Sequence, residues 1–349
     1  MTKAVVFRCS VSATVGVGHL MRCREMARYL QGFGIASAII GPPESMKTAV
    51  DNGLFQIWKS VEDRGTSKED AARVVALCEV MKTRLAVMDD YRIDPPYQQI
   101  LRKAGLRWMQ QFDASKPWPF LCDILVNASP YERRAQYLQW LENPNKTVTL
   151  FGPEYGVLRP AFNALSVGQN GRAVRRILVA FGGGDDRGAI DTVLDALAGK
   201  IAAKLIIISG QGNPRRAGIA QRVADLPADQ AEFLVAPDDM AGVMASCDLA
   251  IIGGGTMSYE AAICGLPTVF IGLAPNQERP CQGWNDLTGA PYLGRVGEVD
   301  PQVIYDTVSA LINDDQTRRD MAARGRKLVD GRGTERLVNA VLELERDPL

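Results

Sequence analysis

Short runs of consecutive apolar residues recur along the chain, and segments with helical spacing separate them. In the first half, they predict strands at Ala4–Phe7, Ala36–Ile40, Leu85–Met88 and Ile124–Val126. In the second half, they predict strands at Ile177–Phe181, Leu205–Ile208, Phe233–Val235, Leu249–Ile252 and Thr268–Ile271. Several runs are continuously apolar, which is typical of strands buried on both faces of a parallel sheet. The alternation therefore predicts an α/β fold built from right-handed βαβ units.

The two halves of the chain have the pattern of separate domains. Each half opens with an apolar strand, a glycine-containing loop and a helix, and residues 152–175 between them lack strong periodicity. We predict an N-terminal Rossmann-like domain at 1–155, a hinge at 156–175, a C-terminal Rossmann-like nucleotide-binding domain at 176–332 and a closing helix at 333–349. Facing doubly wound sheets bind ligands at the carboxyl ends of their strands, so we expect a central ligand cleft.

Composition limits the classes of function. The chain has 349 residues, 46% of them apolar, which is enough for two domains with buried cores. Lys+Arg and Asp+Glu each number 40, and this balance argues against nucleic acid or an anionic membrane as the main partner. No apolar stretch approaches the roughly 18 residues that a membrane helix needs. We expect a cytoplasmic protein without a membrane segment, working as a monomer or a weak homodimer.

The reactive side chains narrow the chemistry further. Seven cysteines are scattered without a CxxC pair, as expected of free thiols in a reducing compartment. His19 is the single histidine, which excludes most zinc sites. We therefore expect no metal and no cofactor, and any imidazole chemistry must use His19.

The loop before the first predicted helix carries that histidine. Gly16 and Gly18 lack side chains and let the backbone approach a ligand closely. His19 would stand at the helix start, where partial positive charge suits phosphate and favours a neutral imidazole. A neutral imidazole accepts a proton, so His19 is a candidate general base. A capping or hydrogen-bonded structural histidine is the alternative, and the pattern alone favours neither.

A second glycine loop follows the strand at Ile177–Phe181. The backbone N–H groups of Gly182 and Gly183 can face phosphate oxygens, although a flexible turn gives the same pattern. Asp185 and Asp186 come next. We favour helix capping over metal binding for this pair, because adjacent aspartates in one loop point in different directions.

The third loop has the sharpest pattern, with a strand, three glycines, hydroxyl residues and then a helix. Gly254 and Gly255 offer backbone N–H groups, and Thr256 and Ser258 can cap the helix and donate to phosphate oxygens. Glu260 lies in the first helical turn. A carboxylate beside phosphates is unfavourable, so we expect it to reach past them to ribose hydroxyls, with a capping role as the alternative.

Two further strand ends offer polar groups to the same cleft. Asn276 and Gln277 can read sugar hydroxyls or acetamido groups, although an ordinary turn also explains them. Asp90 and Tyr91 follow the strand at Leu85–Met88. The alternative for Asp90 is a structural role, in which it only orients its own loop.

Taken in order, these motifs resemble the PseG-type UDP-sugar hydrolases of bacterial nonulosonic acid synthesis, which share the GT-B fold with MurG-like glycosyltransferases. Val15–Cys23 is similar to the Gly-x-Gly-His-x-x-Arg-Cys element of that family. The similarity runs nearly end to end. Its other elements are Met88–Asp94, Leu150–Pro160, Phe181–Gly183, Ala250–Glu260, Cys264–Pro267, Asn276–Gln277 and Asp330–Gly333.

The resemblance implies a GT-B fold of two Rossmann-like, doubly wound parallel-sheet domains facing a central cleft. It implies cleavage of UDP-2,4-diacetamido-2,4,6-trideoxy-β-L-altrose to UDP and free sugar, for pseudaminic acid synthesis. His19 would activate or position water at the anomeric carbon, beside Tyr91. Together, residues and resemblance predict UDP binding by Gly182, Gly183, Gly254, Gly255, Thr256, Ser258 and Glu260. They predict sugar binding by Gly16, Gly18, Asp90, Asn276 and Gln277.

Two segments depart from the family pattern. The family usually has Trp-Glu-Arg after the glycine loop, where this chain has Tyr259-Glu260-Ala261. The family also usually has an Asp-Asp segment with a His further along the chain. This chain has Gln111-Phe112-Asp113 at that place, and no His follows. These departures bear on the identity of the sugar. The rival functions are a GT-B glycosyltransferase with a UDP-sugar donor and a nucleotide-sugar-binding protein without turnover, and the retained His19 argues against the latter.

Overall fold

The computed structural model describes residues 4–11, 18–63, 65–112, 117–163 and 173–345. The chain forms two compact units, each with its own parallel sheet. The first unit contains Met1–Leu158 and Arg332–Leu349, and the second contains Arg159–Gly331. The C-terminal helix therefore belongs to the first unit, an assignment that the sequence pattern did not make.

The first unit has a seven-stranded parallel sheet in the order β3-β2-β1-β4-β5-β6-β7. Its strands are β1 Ala4–Cys9, β2 Ala36–Gly41, β3 Ile57–Ser60, β4 Leu85–Asp89, β5 Arg107–Gln111, β6 Ile124–Asn127 and β7 Val148–Phe151. The direction of winding reverses between β1 and β4. The carboxyl ends of these two strands form the topological switch point of the sheet, where open α/β sheets bind ligands.

The second unit has a six-stranded parallel sheet in the order β10-β9-β8-β11-β12-β13. Its strands are β8 Arg176–Ala180, β9 Lys204–Ser209, β10 Ala231–Val235, β11 Leu249–Ile252, β12 Thr268–Gly272 and β13 Tyr292–Arg295. Here the switch point lies between β8 and β11. The two glycine loops predicted to bind UDP follow these two strands, so they leave the sheet side by side.

Helices cover the sheet within each unit. The first unit contains α1 Gly18–Gln31, α2 Asp51–Leu54, α3 Ser67–Val80, α4 Pro95–Lys103, α5 Arg134–Tyr137 and α14 Gly333–Glu343. The second contains α6 Pro160–Asn163, α7 Ala189–Leu197, α8 Arg216–Ala224, α9 Met240–Ala245, α10 Met257–Cys264, α11 Glu278–Thr288, α12 Pro301–Asn313 and α13 Asp315–Leu328. Short 3-10 helices occur at Glu44–Met46, Leu138–Trp140, Pro153–Tyr155 and Pro275–Gln277. In the described part of the chain, every helix is too short or too polar to cross a membrane.

The predicted strands and the doubly wound α/β class are confirmed. All nine predicted strands are present, with ends that differ by at most two residues. Four strands were missed: β3, β5, β7 and β13. Three of these are edge strands, whose exposure allows polar residues and weakens the apolar run. The fourth, β5, lies inside the sheet and carries two buried glutamines, Gln110 and Gln111.

The core of the first unit has a layer on each face of the sheet. One layer packs β1, β4, β5 and β6 against α1 and α14, and the other packs the same strands against α3 and α4. Leu337, Val338 and Val341 of α14 are fully buried in the first layer. Apolar burial of this kind drives folding. The C-terminal helix is thus a core element that holds α1, and with it His19, against the sheet.

Candidate functional site

His19 lies at the switch point of the first sheet, one residue into α1. Its Nδ1 is 2.7 Å from Asp89 Oδ1 and 2.9 Å from the Asp89 backbone oxygen. Both partners are acceptors, so Nδ1 carries a proton and donates it. In the neutral ring, Nε2 is then the proton acceptor, and it has no hydrogen-bond partner among the described residues. The Tyr91 ring packs edge-on against the imidazole at 4.7 Å between centroids.

Asp89, at the end of β4, is held from a second side by Arg22. The guanidinium donates through Nε to Oδ2 at 2.9 Å and through Nη2 to Oδ1 at 2.7 Å, a bidentate pair. Burial alone would raise the pKa of Asp89, but Arg22 and His19 hold it well below its usual range. Asp89 is therefore a fixed negative charge beneath His19.

The pKa of His19 moves in the opposite direction from the sequence expectation. Burial lowers it, but the charge and hydrogen bonds of Asp89 outweigh burial and raise the pKa above its ordinary value. The sequence predicted a neutral imidazole from the helix dipole alone. That prediction is wrong about the direction of the pKa, because the buried carboxylate of Asp89 favours the protonated ring. A raised pKa makes the neutral ring a stronger base.

Asp90 belongs to a second buried network that faces away from His19, because successive strand residues alternate between faces. It accepts hydrogen bonds from Arg92 Nε at 2.9 Å and Nη2 at 2.7 Å, and it pairs with Arg8 Nη2 at 3.2 Å. Arg8 also pairs with Asp70 at 3.0 Å. This arrangement is the one that the loop-orienting alternative predicts. Sugar binding by Asp90 stays a prediction.

The first glycine loop of the second unit follows β8. Gly182 has φ +93°, in the left-handed region that favours glycine, and a Cβ at Gly182 or Gly183 would meet open space. The backbone there is accessible, as phosphate binding requires. The loop also touches a neighbour that the sequence reading missed: Gly212 N–H donates to the Gly183 carbonyl at 3.2 Å, and Gly210 is too close to Gly183 to accept a side chain.

Of the two carboxylates of this loop, only Asp186 bonds an N–H group of the following helix. Asp186 accepts a hydrogen bond from the Ile190 N–H at 2.9 Å, near the start of α7, and another from Asn213 Nδ2 at 3.0 Å. Asp185 accepts from the Arg187 N–H at 2.8 Å. Among the described residues, no group of three His, Cys, Asp or Glu side chains is arranged to hold a metal ion.

The second glycine loop follows β11 and leads into α10. Thr256 occupies the N-cap position, but its side chain makes no capping hydrogen bond in the described structure. The Ser258 hydroxyl is buried and donates to the Gly255 carbonyl at 2.7 Å. The capping expected of these two hydroxyls is therefore not observed. Backbone carbonyls partner the N–H groups at this end of the helix instead, since the Ser258 N–H donates to the Gly255 carbonyl at 3.0 Å and the Tyr259 N–H to the Thr256 carbonyl at 3.1 Å. Phosphate binding by this helix N-terminus stays a prediction.

Glu260, in the first turn of α10, is paired within its own unit. Arg159 donates to its Oε1 from Nη2 at 2.8 Å and from Nε at 3.2 Å. Burial raises the pKa of Glu260 above its usual range, against the opposing effect of Arg159. No described residue hydrogen-bonds Oε2, so one carboxylate oxygen remains available as an acceptor.

Asn276 and Gln277 lie in the turn after β12 and have different environments. Asn276 is exposed. Gln277 Oε1 accepts from the Leu273 N–H at 3.0 Å and the Gly254 N–H at 3.3 Å. Gln277 thus ties this turn to the glycine loop after β11. Sugar contact by either amide stays a prediction.

The structure brings together part of the predicted site and adds residues to it. Gly18 starts α1 beside His19, whereas Gly16 and Asp113 lie outside the described residues. Asp89 and Arg22 lie in the sequence motifs but were not assigned to the site. The signal for Arg22 was its spacing of three residues from His19, which places both on one helix face. The signal for Asp89 was its position at a strand end.

Sequence comparisons find two partial relatives and no matching protein-family profile. The chain is 32% identical over 199 residues to the spore coat polysaccharide biosynthesis protein SpsG of Bacillus subtilis, over 55% of this chain and 57% of the relative. It is 25% identical over 276 residues to the uncharacterized protein MJ1062 of Methanocaldococcus jannaschii, over 74% of this chain and 54% of the relative. The chain thus spans little more than half the length of these relatives.

Solved structures match over almost the whole chain. Acinetobacter baumannii MurG superposes with a TM-score of 0.70 at 16% identity, covering 97% of this chain and 99% of MurG. Phytolacca americana UGT2, in complex with UDP-2fluoro-glucose and pterostilbene, has a TM-score of 0.69 at 13% identity, covering 99% of this chain and 100% of UGT2. With its two doubly wound parallel sheets, the chain has the GT-B fold that its motifs predict.

Proposed function

We propose that this protein hydrolyses a UDP-linked amino sugar of the 2,4-diacetamido-2,4,6-trideoxyhexose type to UDP and free sugar. The observation that carries the proposal is the His19–Asp89 pair. Its Nδ1 side is held by a buried carboxylate, and its Nε2 side is left to accept a proton. Geometry of this kind, a base oriented by an anion, is the arrangement that general-base catalysis needs.

In this mechanism, the oxygen of a water molecule attacks the anomeric carbon. The water proton passes to His19 Nε2, and Asp89 stabilises the imidazolium that forms. The bond between the anomeric carbon and the diphosphate oxygen breaks, and its electron pair leaves with UDP. Tyr91, against the imidazole, limits the positions that the ring can adopt. Neutral His19 is the active form, so the rate falls as the pH drops through its raised pKa.

The second unit supplies the nucleotide side of the proposal. Loops after β8 and β11 share a switch point, and the N-terminus of α10 carries partial positive charge. Backbone N–H groups at Gly182, Gly183 and Gly255 would stabilise the charge that develops on the departing diphosphate. The Gly254 N–H, which donates to Gln277 Oε1 in this structure, would have to turn to the diphosphate or share its proton with it. Glu260 Oε2 would accept a hydrogen bond from the ribose. A neighbour of the same fold solved with UDP-2fluoro-glucose supports the choice of nucleotide.

The biological setting is part of the same proposal. The Bacillus subtilis relative is named for spore coat polysaccharide biosynthesis, which supports a role in nonulosonic acid or related surface-polysaccharide synthesis. All seven cysteines are free thiols, six of them buried, which supports a reducing, cytoplasmic location.

A GT-B glycosyltransferase is the second candidate, favoured by the fold shared with UGT2, whose structure holds UDP-2fluoro-glucose together with pterostilbene. The two candidates differ in the nucleophile, which is water in one and an acceptor hydroxyl in the other. Both use the same donor and the same base.

One assay separates these candidates. The purified protein is incubated with a panel of UDP-sugars without any acceptor, and free UDP and free sugar are measured. We expect release of both in equal amounts. UDP release that requires an added acceptor would instead establish a transferase, and binding without release under either condition would refute both enzymatic candidates.

A further inference from the structure

Two adjacent buried glutamines end strand β5, and their hydrogen bonding differs. Gln110 is 1% exposed; its Oε1 accepts from Trp108 Nε1 at 3.3 Å, and its Nε2 donates to the Ile93 carbonyl at 3.5 Å. Gln111 is 7% exposed, and its Nε2 is buried with no hydrogen-bond partner among the described residues. The two glutamines lie on the same strand and are both buried. The side-chain N–H of Gln110 has a hydrogen-bond acceptor, whereas that of Gln111 has none in the described part of the chain.

The strand register places Gln111 beside the His19 site. Met88 pairs with Gln110, so Asp89 and Gln111 are the next neighbours along the two parallel strands. Side chains alternate between faces, and Val87 and Met109, two residues earlier, both pack against α1 and α14. Gln111 therefore shares the α1 face with Asp89, one strand spacing of about 4.8 Å away.

A buried N–H donor without an acceptor destabilises the folded state, and native proteins contain few of them. Departures of this kind concentrate at functional sites, where a ligand completes the hydrogen bonding. Gln110 shows that the strand can satisfy a glutamine on its other face. Gln111 Nε2 is one of several buried polar atoms without a partner among the described residues, and it lies on the face that carries His19.

We propose that Gln111 Nε2 donates a hydrogen bond to a neutral oxygen on the sugar, a hydroxyl or an amide carbonyl, and thereby selects among UDP-sugars. This inference rests on the proposed function, because it uses the same site for the sugar. A neutral amide donor favours such an oxygen over a cationic substituent, which offers no acceptor. Gln111 is thus a binding residue whose partner comes with the substrate.

The test compares Gln111→Leu with Gln110→Leu, its matched control. Gln111→Leu removes an unsatisfied donor, so we expect the Tm of the ligand-free protein to rise by about 2–4 °C. We expect kcat/KM for the best UDP-sugar to fall about tenfold or more, with the Kd of UDP unchanged. Gln110→Leu leaves Trp108 Nε1 without its acceptor, so its Tm should fall while the ranking of UDP-sugars stays the same.

A substrate analogue makes the comparison sharper. For a UDP-sugar that lacks the contacted oxygen, wild type and Gln111→Leu should have equal kcat/KM, because neither can form the bond. Gln111→Glu, which only accepts hydrogen bonds when ionised, should lose as much activity as the leucine variant.

The outcomes distinguish this inference from the proposed function. A fall in Tm for Gln111→Leu, or an equal loss of kcat/KM for every UDP-sugar, would show that Gln111 has only a structural role. Wild type that releases UDP from no sugar would refute the hydrolase and leave this inference to be decided by binding. In that case, the Kd of each UDP-sugar and the Kd of UDP are measured for both variants. Gln111→Leu must weaken the binding of particular UDP-sugars while UDP binding stays unchanged, and Gln110→Leu must not.

Discussion

The two sheets reverse their winding at equivalent places, between β1 and β4 in the first unit and between β8 and β11 in the second. The groups presented there differ in kind. The first switch point carries ionisable side chains, with buried His19 and Asp89 and partly exposed Arg22 in one network. The second carries mainly backbone, in two glycine loops, and Gln277 ties the loop after β11 to the turn after β12. The Arg159–Glu260 ion pair lies at the start of α10.

This difference indicates a division of labour. Fixed charges in a buried environment strengthen a base and respond steeply to substitution, because removing one partner leaves an uncompensated charge. Backbone N–H groups bind anions through geometry, so side-chain substitutions there should have smaller effects unless they move the loop. We therefore expect catalysis to depend on the first switch point and nucleotide affinity on the second.

The largest effect is expected for His19→Asn. Asparagine can keep a hydrogen bond to Asp89 but cannot take a proton from water at neutral pH, so UDP release should fall about 10²–10⁴-fold. The Kd of UDP should not change, because the proposed nucleotide contacts lie in the other unit. Steady-state kinetics and calorimetry measure the two quantities. Equal losses of UDP release and of UDP affinity would contradict the proposed division of labour between the two switch points.

Asp89→Asn should have the next largest effect, because it removes the anion that raises the pKa of His19. In wild type, activity falls as the pH drops through that raised pKa. In the variant, the pKa should be lower, and the acid limb of the pH–rate profile should move to lower pH. Because His19 is the single histidine, its ring proton signals in NMR report the titration without ambiguity.

Asp90→Asn is the matched control for this titration. Asp90 pairs with Arg8 and Arg92 on the other face of β4, so its replacement should lower stability and leave the pKa of His19 near the wild-type value.

The His19–Asp89 pair also makes the free energy of unfolding depend on pH, in the opposite direction to the pH dependence of activity. Its contribution is fully present below the unfolded pKa of about 6.5 and is lost as the pH rises through the raised folded pKa.

Gly254 and Gly255 test the second switch point with the same substitution. A Cβ at Gly254 would lie 2.6 Å from Cys281 Sγ and 3.1 Å from the Gln277 carbonyl, so Gly254→Ala must displace the loop. We expect a lower Tm and a Kd for UDP about tenfold higher. A Cβ at Gly255 would meet no protein atom within 4 Å. Gly255→Ala should keep its Tm, so any loss of UDP affinity would report contact with the ligand itself.

How far the sequence predicted the structure differs between the same two regions. The second switch point was readable, because glycine loops after apolar strands are local patterns. The first was only partly readable. His19 stood out as the single histidine, but its link to Asp89 spans 70 residues, and no local pattern shows which strand ends lie side by side. The capping expected of Thr256 and Ser258 failed for a different, local reason, since the Ser258 hydroxyl donates to the Gly255 carbonyl three residues earlier.

The smallest effect is expected at Arg159, whose side chain is 37% exposed. It holds Glu260 through Oε1 only, so Arg159→Met should loosen the carboxylate and raise the Kd of UDP about three- to tenfold. The Kd of 2′,3′-dideoxy-UDP, which lacks both ribose hydroxyls, should stay constant. The pKa of Glu260, already raised by burial, should rise further without the cation, so UDP affinity should weaken at a higher pH than in wild type as the solution is acidified.

Calorimetry over a series of pH values that extends upward from the ordinary carboxyl pKa covers the titration of a carboxyl whose pKa is raised. Arg159→Lys is the control, because it keeps the charge but not the two-pronged donor. It should recover the wild-type pH dependence more fully than the affinity. If both nucleotides instead lose affinity equally, Arg159 acts on the shape of the loop and not through Glu260. The second switch point would then bind its nucleotide through backbone alone, and the contrast with the charged first switch point would become complete.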